Sequence, residues 1–145
     1  MWKSLLFGTN KGARGHWGLL ALRVFAGMAM AISHGWKKMP PSERFIQKVS
    51  EMGFPAPEFF GWAASLSEFA GGILIAIGLF TRPSAFFLSI TMAVAAFLGH
   101  GGDAFSEREK ALLYGILSIF LFIQGPGKYS IDWLINKKIH PSQSI

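Results

Sequence analysis

No cysteine occurs in the 145 residues, which excludes disulfide stapling, thiol redox relays, thiolate-held zinc and cysteine-ligated iron–sulfur clusters. Redox chemistry in this chain therefore has to borrow its cofactor. Charge is scarce as well: charged residues make up 15% of the chain and hydrophobic ones 51%, whereas a soluble domain is about one quarter charged. Polar helix faces are missing too. In "SAFFLSITMAVAAFLGH" and "ALLYGILSIFLFIQG" no charge interrupts any face, and a water-facing helix needs a polar stripe. Internal repeats, low-complexity tracts, zinc-protease spacings and nucleic-acid-binding motifs are absent, so neither a metal ligand set nor a nucleic-acid partner is expected. The net charge of +6 suits anionic lipid headgroups.

What is present is a set of four apolar runs at about 17–36, 58–80, 84–100 and 109–125, each near the roughly twenty residues that cross a bilayer as a helix. They predict an all-α integral membrane four-helix bundle in one domain, 1–145. The first loop, "PPSERFIQKVSEMGFPAP", offers Ser42 as an N-cap, Phe45, Val49 and Met52 on one face, and Gly53 as a stop, which predicts a short amphipathic interfacial helix at about 42–52. The C-terminal "GPGKYSIDWLINKK" predicts another, capped by Ser130, with Trp133 among lysines at interface depth. The N-terminal stretch has the outline of a signal peptide, but Arg23 within its apolar part argues for an uncleaved first helix.

Orientation follows from basic residues near the helix ends. Lys3, Lys11, Arg14, Arg82, Lys128, Lys137 and Lys138 gather on the side of the termini; Lys37, Lys38, Arg44, Lys48, Arg108 and Lys110 gather on the other. Seven against six favours cytoplasmic termini in a bacterial inner membrane, and the acidic residues lean the same way.

Two charges stand inside apolar runs, Arg23 in the first and Glu68 in the second. Unpartnered at mid-bilayer they would together cost at least about 5 kcal/mol, comparable to the stability of a whole domain. Counted from the outer helix ends their depths differ by only about 5 Å at 1.5 Å per residue, so an Arg23–Glu68 pair is expected. The faces agree. Gly61, Ala64, Ser65, Glu68, Gly71 and Gly72 form a stripe of small residues that admits a neighbouring backbone; Arg23, Gly27, Met30 and His34 share another; Ser89, Ala93, Ala96 and His100 form a third. The two histidines, the carboxylate and the arginine are expected to converge on one bundle interior. The competing readings are a purely structural ion pair and interfacial histidines without ligand. Depth and spacing also allow a bis-histidine haem b between His34 and His100, a weaker reading because two histidines carry little specificity.

The segments "RVFAGMAMAISHGWKKM", "EFAGGILIAIGLFTRPSA", "FLGHGG" and "GPGKYSID" together resemble the DoxX family of four-helix membrane proteins, over about 17 to 135. The matching positions are Arg23, Gly27, His34, Gly35, Lys38, Glu68, Gly71, Gly72, Arg82, His100, Ser130 and Asp132. The family takes its name from a membrane subunit of a thiosulfate-oxidising, quinone-reducing enzyme. The resemblance therefore implies an inner-membrane, redox-linked subunit with a quinone as cofactor and a partner oxidoreductase or other membrane subunit, with homo-oligomers also open. On that reading His34 or His100 hydrogen-bonds a quinone oxygen, Trp36, Trp62 and Phe97 supply flat walls, and Glu68 with Arg23 sets the field and moves a proton. The alternatives are a non-catalytic scaffold that docks a soluble redox enzyme and a small-solute transporter.

Overall fold

The computed structural model describes residues 13–139; Lys3 and Lys11 of the basic count lie outside them. Among the described residues there are six α-helices and no strand. The first, α1 (Ala13–Met30), runs on through a π-helical turn at Ala31–Gly35 and a 3-10 turn at Trp36–Lys38. Then come α2 (Glu43–Glu51), α3 (Pro57–Ile77), α4 (Thr81–Val94) with its own π-helical turn at Ala95–Gly99, α5 (Phe105–Gln124) and α6 (Ile131–Ile139). Three stretches, Gly15–Lys38, Pro57–Ile77 and Thr81–Gly99, are long and apolar enough to cross a membrane. The fourth expected span falls within α5, whose first turns carry Glu107, Arg108, Glu109 and Lys110, so its uncharged part runs only over 111–124.

The element ends follow from local chemistry. Ser42 caps α2, its side chain accepting the Phe45 N–H at 3.3 Å, and Gly53 (φ +87°) lets the chain turn back out of it. Pro57 opens α3, where a missing N–H costs nothing. Gly78, left-handed at φ +74°, closes it. At the start of α6 Ser130 accepts the Trp133 N–H at 3.1 Å.

The long helices pack as α1 against α3, α3 against α4 and α4 against α5, with α2 laid on the first half of α3. Met30, Ile75, Leu88, Met92 and Leu121 form the apolar centre. Large side chains such as Phe25, Phe87, Ile116 and Ile123 point outward, the inverse of a water-soluble bundle and the arrangement a lipid solvent rewards. Small residues set the α1–α3 crossing. A Cβ on Gly27 would collide with the Gly72 carbonyl and Ala76, one on Gly72 with the Gly27 carbonyl and the Ala31 backbone, and one on Gly35 with the backbone of Glu68 and Phe69. Backbone contact of this kind replaces the hydrophobic drive that is absent between helices in lipid.

On α4 the inward face is Ala85, Leu88, Met92 and Ala96. The expected stripe through Ser89 and Ala93 is corrected: Ala93 is exposed, and the Ser89 hydroxyl satisfies itself on the Phe86 carbonyl at 2.7 Å. Several other hydroxyls are held within or between helices, as lipid favours. Ser65 donates to the Gly61 carbonyl, and Ser67 and Thr91 join α3 to α4 at 2.7 Å.

Candidate functional site

The α1–α3 register decides where the charges go. Gly35 meets Glu68 and Phe69, Gly27 meets Gly72, and Arg23 lies against Gly78. Ten residues of helix separate Glu68 from Gly78, about 15 Å at 1.5 Å per residue, so Arg23 and Glu68 do not pair. The first turns of α3 project past the end of α1 and are covered by α2 instead, Gly61 standing beside Phe45 and Ile46. Depths counted from the two helix ends therefore do not coincide, which is why the expected pair fails.

Glu68 is 1% exposed, and its partner is Lys38. The Lys38 ammonium donates to Glu68 Oε1 at 2.6 Å and lies 5.2 Å from the centre of the Phe45 ring. Lys38 is about one third exposed. It brings its charge inward from the end of α1 while its stem covers apolar surface. The second carboxylate oxygen, Oε2, is buried and has no hydrogen-bond partner among the described residues.

Two cavities share Lys38, Glu68 and Ala95. The larger, about 370 Å³, lies beneath α2 and is walled by Phe45, Met52, Phe54, Phe60, Phe87 and Ile90; among its lining residues Lys38 and Glu68 are the charged ones. It is thus an apolar chamber with an ion pair at one end. The smaller, about 180 Å³, opens between α1, α4 and α5 and is lined by His34, His100, Glu107, Lys110 and Tyr114 besides the shared pair. His34 sits edge-on to Tyr114 with ring centres 5.7 Å apart. His100 is tied to Asp103 at 2.7 Å. His34 lies within the π-helical turn of its helix and His100 directly follows the other, a local widening common at functional sites.

The expected convergence thus holds for His34, His100 and Glu68, which line one cavity. It does not hold for Arg23, which lines neither. Trp36, Trp62 and Phe97 line neither cavity as well: Trp36 and Phe97 are 65% and 62% exposed, and Trp36 packs on Phe69. The aromatic walls come from α2, its following loop, α3 and, with Phe87, α4. Single-helix periodicity does not reveal them, because the chamber exists only when the α2 segment folds back. Lys38 is the functional candidate that periodicity passed over; its position at the end of an apolar run within reach of an intramembrane carboxylate was the available signal.

Arg23 belongs to a different cluster. It is fully buried, donates from Nη2 to the Tyr129 carbonyl at 2.6 Å and lies against Gly78, where a Cβ would overlap its guanidinium. Asp132, from the start of α6, accepts the Phe80 and Thr81 N–H groups at 2.8 and 2.9 Å. It caps α4 from outside and holds the left-handed Phe80 (φ +47°). Its own N–H donates to the Gly78 carbonyl at 2.8 Å. These residues lock the C-terminal segment onto the α3–α4 turn.

The DoxX family model matches residues 18–101, more than half of the chain. The chain belongs to the DoxX family. A second family model, described as TQO small subunit DoxD, matches residues 60–145. Among the relatives of this DoxX-family chain, Inner membrane protein YqjF of Escherichia coli is 35% identical over 129 residues, covering 83% of this chain and 94% of that protein. Inner membrane protein YphA of the same species is 31% identical, covering 79% and 88%. An uncharacterized membrane protein of Mycobacterium tuberculosis is 29% identical, covering 87% and 86%. No solved structure matches. With bacterial inner-membrane relatives and several apolar helices, this DoxX-family chain is a membrane protein.

Proposed function

We propose that the apolar chamber beneath α2 binds the head of a quinone-type molecule and that the protein serves as the membrane subunit of a quinone-linked oxidoreductase. The observation that carries this reading is the chamber itself. It offers about 370 Å³ walled largely by phenylalanines, with Lys38 and Glu68 at one end. That volume lies within the roughly 300 to 1,000 Å³ of small-molecule sites, and a few convergent polar groups in an apolar lining are their usual composition. The quinone supplies the redox chemistry. Lys38 can donate to a carbonyl oxygen, Glu68 can hold a proton beside it, and the phenylalanines exclude water. The DoxD match supports a place beside an oxidoreductase partner. A haem between His34 and His100 fits less well, because the cavity they share is about 180 Å³, below the range of drug-sized ligands.

The test is retention. Wild-type protein purified from a quinone-producing host is expected to yield quinone on solvent extraction, read by its ultraviolet spectrum. Ala63→Phe, which fills the chamber, is expected to yield none while keeping its helical circular dichroism. A quinone-free wild-type extract overturns the reading, and a stoichiometric soluble partner found in its place supports the scaffold alternative.

The membrane arrangement that goes with this proposal has four crossings, α5 being the fourth with its charged first turns in the interface, and α2 and α6 lying at opposite surfaces. The termini are cytoplasmic and the chamber opens toward the periplasmic side. In this cysteine-free chain, Ser42→Cys and Ser106→Cys are expected to react in intact cells with an impermeant maleimide. Ser4→Cys and Ser142→Cys, outside the described residues, are expected not to react. The reverse pattern inverts the topology, and labelling of one terminus alone removes one crossing.

A further inference from the structure

We propose that the smaller cavity is a proton route from the outer surface to Glu68, separate from the apolar chamber through which a ligand reaches the same carboxylate. The inference deepens the ligand reading of Glu68, and its test uses protein without ligand.

Three observations carry it. Glu68 lies on the boundary of both cavities, but their linings differ: beyond the shared residues, one is almost wholly phenylalanine and aliphatic, whereas the other sets His34, His100, Glu107, Lys110 and Tyr114 among methionine and alanine. The Glu68 Oε2 atom is buried without a hydrogen-bond partner among the described residues, while Oε1 is held by Lys38, so one oxygen is positioned by the lysine and the other is open to a proton. At the mouth, His100 is only partly buried and is bonded to exposed Asp103. About 180 Å³ holds several waters at roughly 30 Å³ each, and the imidazole, carboxylate, ammonium and phenol groups along one part of its lining give them hydrogen-bond partners.

A proton leaves bulk water at the mouth and passes over an imidazole, one ring nitrogen accepting as the other releases. It ends on Glu68 Oε2, turning the carboxylate into a carboxylic acid, while Lys38 keeps its own proton. The charged and titratable groups facing this path are His34 and Lys38 from α1 and its end, His100 beyond α4, and Glu107, Lys110 and Tyr114 from α5. From α2 the groups facing Glu68 are apolar. A neutral Glu68 then presents an O–H donor to the apolar chamber. A ligand oxygen there can be protonated without water entering among the phenylalanines.

The experiment is hydrogen–deuterium exchange of the Glu68 carboxyl, followed by infrared spectroscopy on purified protein in lipid nanodiscs. The band is assigned by its loss in Glu68→Gln. Ala111→Leu, which fills the polar cavity, and the paired His34→Phe, His100→Phe variant are each expected to slow exchange roughly 10²-fold, the scale of a positioned proton-transfer group. Ala63→Phe, which fills the apolar chamber, is expected to leave the rate at the wild-type value. His100→Gln, at the mouth, keeps the test decisive if an interior variant does not fold. Equal rates in all variants, slowing by Ala63→Phe alone, or no Glu68 carboxyl band at any pH from mildly acidic to neutral overturns the route. Loss of quinone binding with exchange intact overturns the ligand reading and not this one.

Discussion

Lys38→Met is expected to destabilise the protein by up to about 3 kcal/mol, because removing the partly exposed lysine strands the buried Glu68 carboxylate. Glu68 is 1% exposed, and Lys38 is the cation its carboxylate meets among the described residues. The variant should melt well below wild type in detergent. Glu68→Gln removes the stranded charge, so the double variant Lys38→Met with Glu68→Gln should recover most of the loss. The size of that recovery measures the coupling. Arg23→Ala combined with Glu68→Ala should instead show simple additivity within about 0.5 kcal/mol, the behaviour of sites without shared partners. Strong coupling between Arg23 and Glu68, or none between Lys38 and Glu68, would contradict the α1–α3 register.

Arg23→Ala and Asp132→Ala should each release the C-terminal segment from the α3–α4 turn. Losing the guanidinium removes a charge-assisted hydrogen bond to the Tyr129 carbonyl and leaves a large void against Gly78, together about 4 kcal/mol. Losing the Asp132 carboxylate leaves the Phe80 and Thr81 N–H groups without their acceptor, about 3 kcal/mol, and frees Phe80 from its left-handed conformation. Both effects are read as lowered melting temperature with faster protease cleavage within 125–139. Asp132→Asn keeps one acceptor oxygen and should lose about half as much as Asp132→Ala. Unchanged cleavage in Arg23→Ala would remove the clamp.

The helices themselves were legible. Apolar runs of bilayer length, the Ser42 and Ser130 caps, and the glycine stop at Gly53 placed element ends within a few residues, because each signal acts within a few residues of where it stands. The inward faces of α1 and α3 were legible for the same reason: Gly27, Met30, Ser65, Glu68, Gly71 and Gly72 follow one helical period and are buried. His34 sharing a cavity with Glu68 followed from that periodicity; His100 reaches the same cavity although the stripe expected to carry it, through Ser89 and Ala93, is not the inward face of its helix. Partner choice was not legible. Periodicity states which residues share a face of one helix but not how far one helix slides along its neighbour. That slide is decided where backbones can touch, at Gly27 against Gly72 and Gly35 against Phe69; it places Glu68 beside the end of α1, within reach of Lys38, and Arg23 beside Gly78. The apolar chamber arose later still, because its walls come from α2, α3 and α4 together. The sequence alone determined a membrane-embedded helical chain with a carboxylate on a protein-facing stripe, since hydropathy and helical period are local properties. Only the tertiary structure decided which cation meets that carboxylate and what space lies in front of it, since both depend on the register of helices distant in the chain.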